Sequence, residues 1–120
     1  MPSVRSEVAV AELGVNEVYD AHTDRWETRA PMPTPRSGIS AAAFNARVYV
    51  FGGKAPEGTF DAVEVYDPGN DRWSTAGTPM PTARHGLGSA VVGGHIFVIA
   101  GGTRPGGSAS SVNEIYNPGP

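Results

Sequence analysis

The sequence predicts an all-β protein built from repeated four-stranded antiparallel sheets. Three observations predict it. A set of short segments recurs in fixed order with a period near 48 residues. The segments have strand length and are separated by Gly, Pro, Asn and Asp, the residues that turn a chain. The composition, with 16 Gly and 11 Pro in 120 residues, suits a fold of many tight turns and short strands.

The recurrence is specific. Val15-Asn16-Glu17-Val18-Tyr19-Asp20 matches Ala62-Val63-Glu64-Val65-Tyr66-Asp67 and Val112-Asn113-Glu114-Ile115-Tyr116-Asn117. Asp24-Arg25-Trp26 and Asp71-Arg72-Trp73 follow the first two tyrosines. Next come Met32-Pro33-Thr34-Pro35-Arg36-Ser37-Gly38 and Met80-Pro81-Thr82-Ala83-Arg84-His85-Gly86. The runs Val48 to Gly53 and Phe97 to Gly102 close the set, each ending in a diglycine. So many elements in one order mark an internal repeat.

A period near 50 that carries a diglycine, then Tyr, then Trp resembles the kelch motif, over residues 15–118. The resemblance implies kelch-type β-propeller blades, about two per chain, each a four-stranded antiparallel sheet with strands a to d. The strands follow in order. Strand c of a first, partial unit is expected at Val15–Asp20 and strand d near Asp24–Thr28. The complete blade runs a Ser37–Phe44, b Arg47–Phe51, c Ala62–Asp67 and d Arg72–Ala76. The last unit gives a Gly86–Val92, b His95–Ala100 and c Ser111–Tyr116. Strand a is rich in Ala and Gly, as an innermost strand crowded against the axis requires. Strand b is the most apolar and suits burial between blades. Asp67-Pro68-Gly69-Asn70 is a strong turn signal between c and d. The diglycines supply the positive φ and close approach needed where strand b ends. The Tyr and Trp of each unit are expected as core aromatics between blades. Glu17, Glu64 and Glu114 are expected on the opposite face of strand c, without a catalytic role.

The single domain 1–120 therefore divides into a partial unit 1–30, a complete blade 31–78 and an incomplete blade 79–120. Val8-Ala9-Val10-Ala11 could be a degraded strand b, although no diglycine follows it. Propellers typically hold four to eight blades, so the ring is expected to be completed by self-association as a dimer or trimer. The N-terminal strand d would then complete a blade begun by the C-terminal a-b-c strands of a neighbouring copy.

Composition excludes several function classes. Formal net charge is −3, and the nine basic residues are spread without a basic stripe, against nucleic-acid binding. The absence of cysteine excludes disulfides, thiolate zinc sites and the Cys-linked Tyr of kelch-type copper-radical oxidases. No signal-peptide run is seen, and the longest apolar stretch, Ile96–Ala100, is far short of a membrane span. A cytoplasmic protein is the expectation.

In an antiparallel blade the d–a and b–c loops share one face. The longer Gly- and Pro-rich loops lie there, where binding residues usually sit. The kelch resemblance implies a protein-interaction module that takes a partner peptide or protein at this mouth. Arg36, Ser37, Arg84 and His85 at the d–a loops, with Lys54 and Arg104 after the diglycines, are the expected contacts. Arg suits carboxylates through its bidentate fork, but these arginines could instead brace a blade through backbone carbonyls. No catalytic residue, metal site or cofactor is expected, since His22, His85 and His95 lack ligand spacing. Two other readings stand beside this one. The chain could be part of a kelch-type sugar epimerase, which needs convergent Arg and Glu at the channel mouth, or a structural spacer without a ligand.

Overall fold

A computed structural model describes residues 7–10 and 15–117. Ten of its strands form three antiparallel sheets laid side by side in chain order. The first holds β1 (Glu7–Val10), β2 (Val15–Asp20) and β3 (Arg25–Arg29). The second holds β4 (Ser40–Phe44), β5 (Arg47–Phe51), β8 (Val63–Asp67) and β9 (Arg72–Thr75). The third holds β10 (Gly88–Val92), β11 (His95–Ile99) and β12 (Asn113–Tyr116). These are strands b-c-d, a-b-c-d and a-b-c, the blade architecture that the repeat implies.

Three strands were less legible than the rest. β1 pairs antiparallel with β2, Glu7 opposite Val18 and Val10 opposite Val15. Among the described residues the array therefore opens on strand b rather than on c; Ala11 lies outside them. A short hairpin of β6 (Lys54–Ala55) and β7 (Gly58–Thr59) stands in the b–c loop of the second sheet, where the repeat pattern predicts only loop. The Pro56-Glu57 pair between its strands is the turn that makes it.

Register corrects the matching of the diglycines. Val48 lies opposite Tyr66, and Ile96 lies opposite Tyr116. Ile96 therefore takes the place of Val48, which puts Ala100 at the place of Gly52, Gly101 at that of Gly53 and Gly102 at that of Lys54. The backbone agrees: φ is 69° at Gly52 and 61° at Ala100, then 108° at Gly53 and 90° at Gly101. The isolated bridges agree too, pairing Ser37 with Lys54 and His85 with Gly102. The diglycine of the third sheet sits one residue late.

The core lies between the second and third sheets. Tyr49, Phe51, Val63 and Val65 of the second pack against Ile96, Val98 and Tyr116 of the third, with Met80 and Leu87 from the connector between them. Phe51 and Tyr116 meet edge to face at 5.3 Å between ring centroids. Full burial of each such side chain stabilises by about 1.5–3 kcal/mol. Each sheet thus has a leading face, carrying the Glu and Tyr of strand c, and a trailing face toward the next sheet.

The first and second sheets meet at Ala30. Trp73 Nε1 donates to its carbonyl at 2.8 Å, as does Asn16 Nδ2 at 3.1 Å, and its N–H donates to Asp71 Oδ1 at 2.9 Å. Tyr66 meets Trp73 in a tilted contact at 5.0 Å between ring centroids, and Tyr19 meets Trp26 likewise at 5.2 Å. The inter-blade role expected of these aromatics holds for Tyr66, Trp73 and Tyr116. It fails for Trp26, which is 56 % exposed, because no sheet among the described residues covers the first leading face. β3 is hydrogen-bonded to β2 of its own sheet over five residue pairs.

Candidate functional site

The d–a connectors, 30–39 and 76–87, run under strand c of the sheet that they enter. Each carries Thr-x-Arg, and strand c supplies the Glu two residues before Tyr. Arg36 Nη2 lies 3.0 Å from Glu64 Oε1, and Thr34 Oγ1 donates to Glu64 Oε2 at 2.8 Å. Arg84 Nη2 lies 2.7 Å from Glu114 Oε1, and Thr82 Oγ1 donates to Glu114 Oε2 at 2.7 Å. The same guanidiniums donate to backbone carbonyls at the end of strand b. Arg36 Nη1 reaches Gly52 O, and Ala62 O at 3.3 Å; Arg84 Nη1 reaches Ala100 O at 2.7 Å. Burial pushes the Arg36 pKa below its ordinary value, and Glu64 opposes that shift.

This arrangement corrects the expectation for Arg36 and Arg84. Both side chains are buried, and their Nη groups spend their hydrogen bonds inside their own blade. They brace each sheet and set the path of the connector; they do not present a guanidinium at the mouth. The glutamates, expected merely on the other face of strand c, are the second half of the brace. The sequence signal was present, since Thr-x-Arg and the Glu before Tyr recur together, 28 and 30 residues apart.

Of the residues that follow the arginines, Ser37 lines the mouth, while His85, expected beside it, is buried at 9 % exposure. Ser37 is tied to Lys54 through paired backbone bonds, Lys54 N to Ser37 O at 2.8 Å and Ser37 N to Lys54 O at 3.3 Å. His85 is tied likewise to Gly102, at 3.0 and 2.9 Å. The His85 ring bonds the Arg104 carbonyl through Nε2 at 2.7 Å, so Nε2 carries the proton. Ser108 Oγ donates to the same carbonyl and accepts from Arg104 N–H, which folds the 103–110 loop back on itself. Thr59 Oγ1 donates to Thr103 O at 3.0 Å and joins the two neighbouring b–c loops.

Between these loops lies an open cleft of about 240 Å³ lined by Ser37, Lys54, Ala55, Pro56 and Pro105. Its walls are two prolines and its polar groups an ammonium and a hydroxyl; no carboxylate lines it. The charged ends of Lys54 and Arg104 have no ion-pair partner among the described residues. The structure thus brings Ser37 and Lys54 to one cleft, places Arg104 next to the Pro105 that lines it, and buries Arg36, Arg84 and His85. His22, in the turn after β2, and His95, at the start of β11, are exposed and stand in the c–d and a–b turns. Among the described residues no group of three or more His, Asp or Glu could hold a metal ion, and no helix is long and apolar enough to cross a membrane.

Comparison with known proteins agrees with this architecture. The KLHDC2/KLHL20/DRC7 Kelch-repeats domain family matches residues 10–117. Kelch-like protein 21 of Danio rerio is 42 % identical over 64 residues, covering 51 % of this chain and 10 % of that protein. Kelch-like protein 15 of Homo sapiens is 34 % identical over 58 residues, covering 48 % of this chain and 10 % of that protein. The matches thus span about a tenth of the length of these relatives. The solved structure of YjhT superposes with a TM-score of 0.65 at 26 % identity, covering 75 % of this chain and 28 % of that one.

Proposed function

The chain belongs to the KLHDC2/KLHL20/DRC7 kelch-repeat family, a β-propeller family, and from that premise we propose that it is a protein-interaction module without catalytic activity. The partner is a protein segment rich in Asp or Glu, held at the mouth formed by the d–a and b–c loops. One observation carries the reading: Lys54, which lines a cleft without a carboxylate in its walls, and Arg104, next to Pro105 on the adjoining loop, have no ion-pair partner among the described residues. Ser37 offers a hydroxyl and the two prolines an apolar wall. The epimerase reading draws less support. The Arg and Glu that it requires converge as Arg36–Glu64 and Arg84–Glu114, but inside the blades and bonded to each other. The proposal includes self-association of copies toward a ring.

A phage-displayed random peptide library panned against the protein tests the mouth. Acidic sequences are enriched, and Lys54→Glu with Arg104→Glu abolishes their capture. Recovery of no sequence, or capture indifferent to both substitutions, overturns the reading.

A further inference from the structure

We infer that His85 and Ser108 are positioning residues for the binding proposed above, on which this role rests. They clasp the 103–110 loop by the Arg104 carbonyl and so hold Pro105 as the far wall of the cleft.

The two neighbouring sheets reach the cleft with unlike residues at equivalent places. The isolated bridges pair Ser37 with Lys54 in one sheet and His85 with Gly102 in the next. The second sheet therefore puts a small residue on the connector and a long cation at the end of strand b, and both line the cleft. The third sheet reverses the sizes, with a ring on the connector and no side chain at the end of strand b.

The reversal makes room for a loop. A Cβ added at Gly102 would collide with the hydroxyl and the carbonyl of Ser108, although the Gly102 backbone is not left-handed. Space, rather than conformation, demands glycine there. The loop folds into that space and is tied down at several points. His85 Nε2 donates to Arg104 O at 2.7 Å, and Ser108 Oγ donates to the same oxygen at 2.5 Å, which uses both of its lone pairs. Arg104 N–H donates back to Ser108 Oγ at 3.1 Å. Ser110 Oγ donates to Gly101 O at 2.6 Å where the loop returns. The His85 ring is itself braced from the other side, since a Cβ added at Gly38 would lie 3.5 Å from its Nδ1. Thr59 Oγ1 anchors Thr103 O to the loop of the second sheet at 3.0 Å. Pro105 follows the clasped carbonyl directly and lines the cleft opposite Pro56. Without the clasp the wall has to be ordered by the partner, which subtracts from affinity.

Amide exchange and peptide binding, measured on the same variants, test this role. The probe is the acidic peptide most enriched in the panning above. His85→Phe keeps a ring without the donor, and Ser108→Ala removes the hydroxyl. Both speed exchange of the Arg104 amide and weaken peptide binding about tenfold, through faster dissociation. His85→Gln, which keeps an N–H donor at similar reach, recovers most of that loss. Arg104→Glu weakens binding strongly in the unaltered chain and much less in the His85→Phe background, because a released loop no longer presents Arg104. Gly102→Ala reproduces the Ser108→Ala behaviour by crowding the loop out. Binding that survives His85→Phe despite faster Arg104 exchange overturns this role alone. So does exchange unchanged in both His85→Phe and Ser108→Ala, or an Arg104→Glu effect equal in the two backgrounds. An unaltered chain that recovers no acidic peptide overturns the proposed function and this role with it.

Discussion

Arg36 and Glu64 form an ion pair at 3.0 Å whose side chains are 0 % and 4 % exposed, deep between a connector and the strand above it. Removing one partner leaves the other charged and buried, which typically costs about 3–5 kcal/mol. Arg36→Met is expected to lower stability by that order in urea denaturation. Arg36→Met with Glu64→Leu is expected to recover most of the loss, since an apolar pair leaves no orphan charge. Glu17→Gln, at the equivalent place with no arginine partner among the described residues, is expected within about 0.5 kcal/mol of the unaltered chain.

Gly52 and Ala100 share one backbone conformation but not one environment, so exchanging their side chains has opposite signs. Gly52→Ala drives a methyl into the Arg84 carbonyl and adds left-handed backbone strain. It is expected to cost about 2 kcal/mol or more. Ala100→Gly relieves the same strain where nothing crowds the residue. The gain is expected to be about 0.5–1 kcal/mol after the added chain entropy of glycine. Thermal denaturation of the two variants side by side checks the contrast.

The Tyr66–Asp71 contact makes stability pH-dependent at both ends. The Tyr66 hydroxyl, then the Ala30 N–H, holds the Asp71 carboxyl below its ordinary 3.8. A depressed carboxyl stabilises the fold above its unfolded pKa, and that contribution is lost as pH falls through the lower folded value. Burial first, then the bond to Asp71, pushes Tyr66 up to about 12 from 10.0. Its contribution is complete below pH 10 and is lost between there and about pH 12. Asp71→Asn is expected to flatten the acid limb below about pH 4, and Tyr66→Phe the alkaline limb, in unfolding curves taken across pH.

Lys54→Glu and Arg104→Glu separate binding from folding. Neither charged end takes part in an ion pair among the described residues, so each substitution is expected to change stability by less than about 0.5 kcal/mol. Loss of acidic-peptide capture with an unchanged melting temperature is the expected pattern. Equal loss of both would make these residues structural.

What was legible in the sequence was what local pattern encodes. β2 and β5 lie at the bounds expected from alternation and turn residues, and the other long repeat strands lie within three residues of theirs. The pairing of Arg36 with Glu64 was not, because it depends on a connector passing beneath a strand 28 residues later. The late diglycine misled for a related reason. Two adjacent glycines align by eye, while hydrogen-bond register fixes Ala100, not Gly101, as the partner of Gly52. At the mouth, Ser37, Lys54 and Arg104 were legible as loop residues; the burial of His85 was not. Their gathering rests on paired backbone bonds that side-chain patterns do not announce.

The buried arginines also bear on how the mouth meets anything at all. Because Arg36 and Arg84 anchor the connectors from below, the backbone at Ser37 and His85 is fixed before a partner arrives. Ordering flexible loops on binding ordinarily subtracts from affinity. Here most of that entropy is already lost on folding, at the connectors if not at the outer tip of the 103–110 loop. Affinity at such a rim is governed by how long a partner stays rather than by how long the protein takes to shape itself.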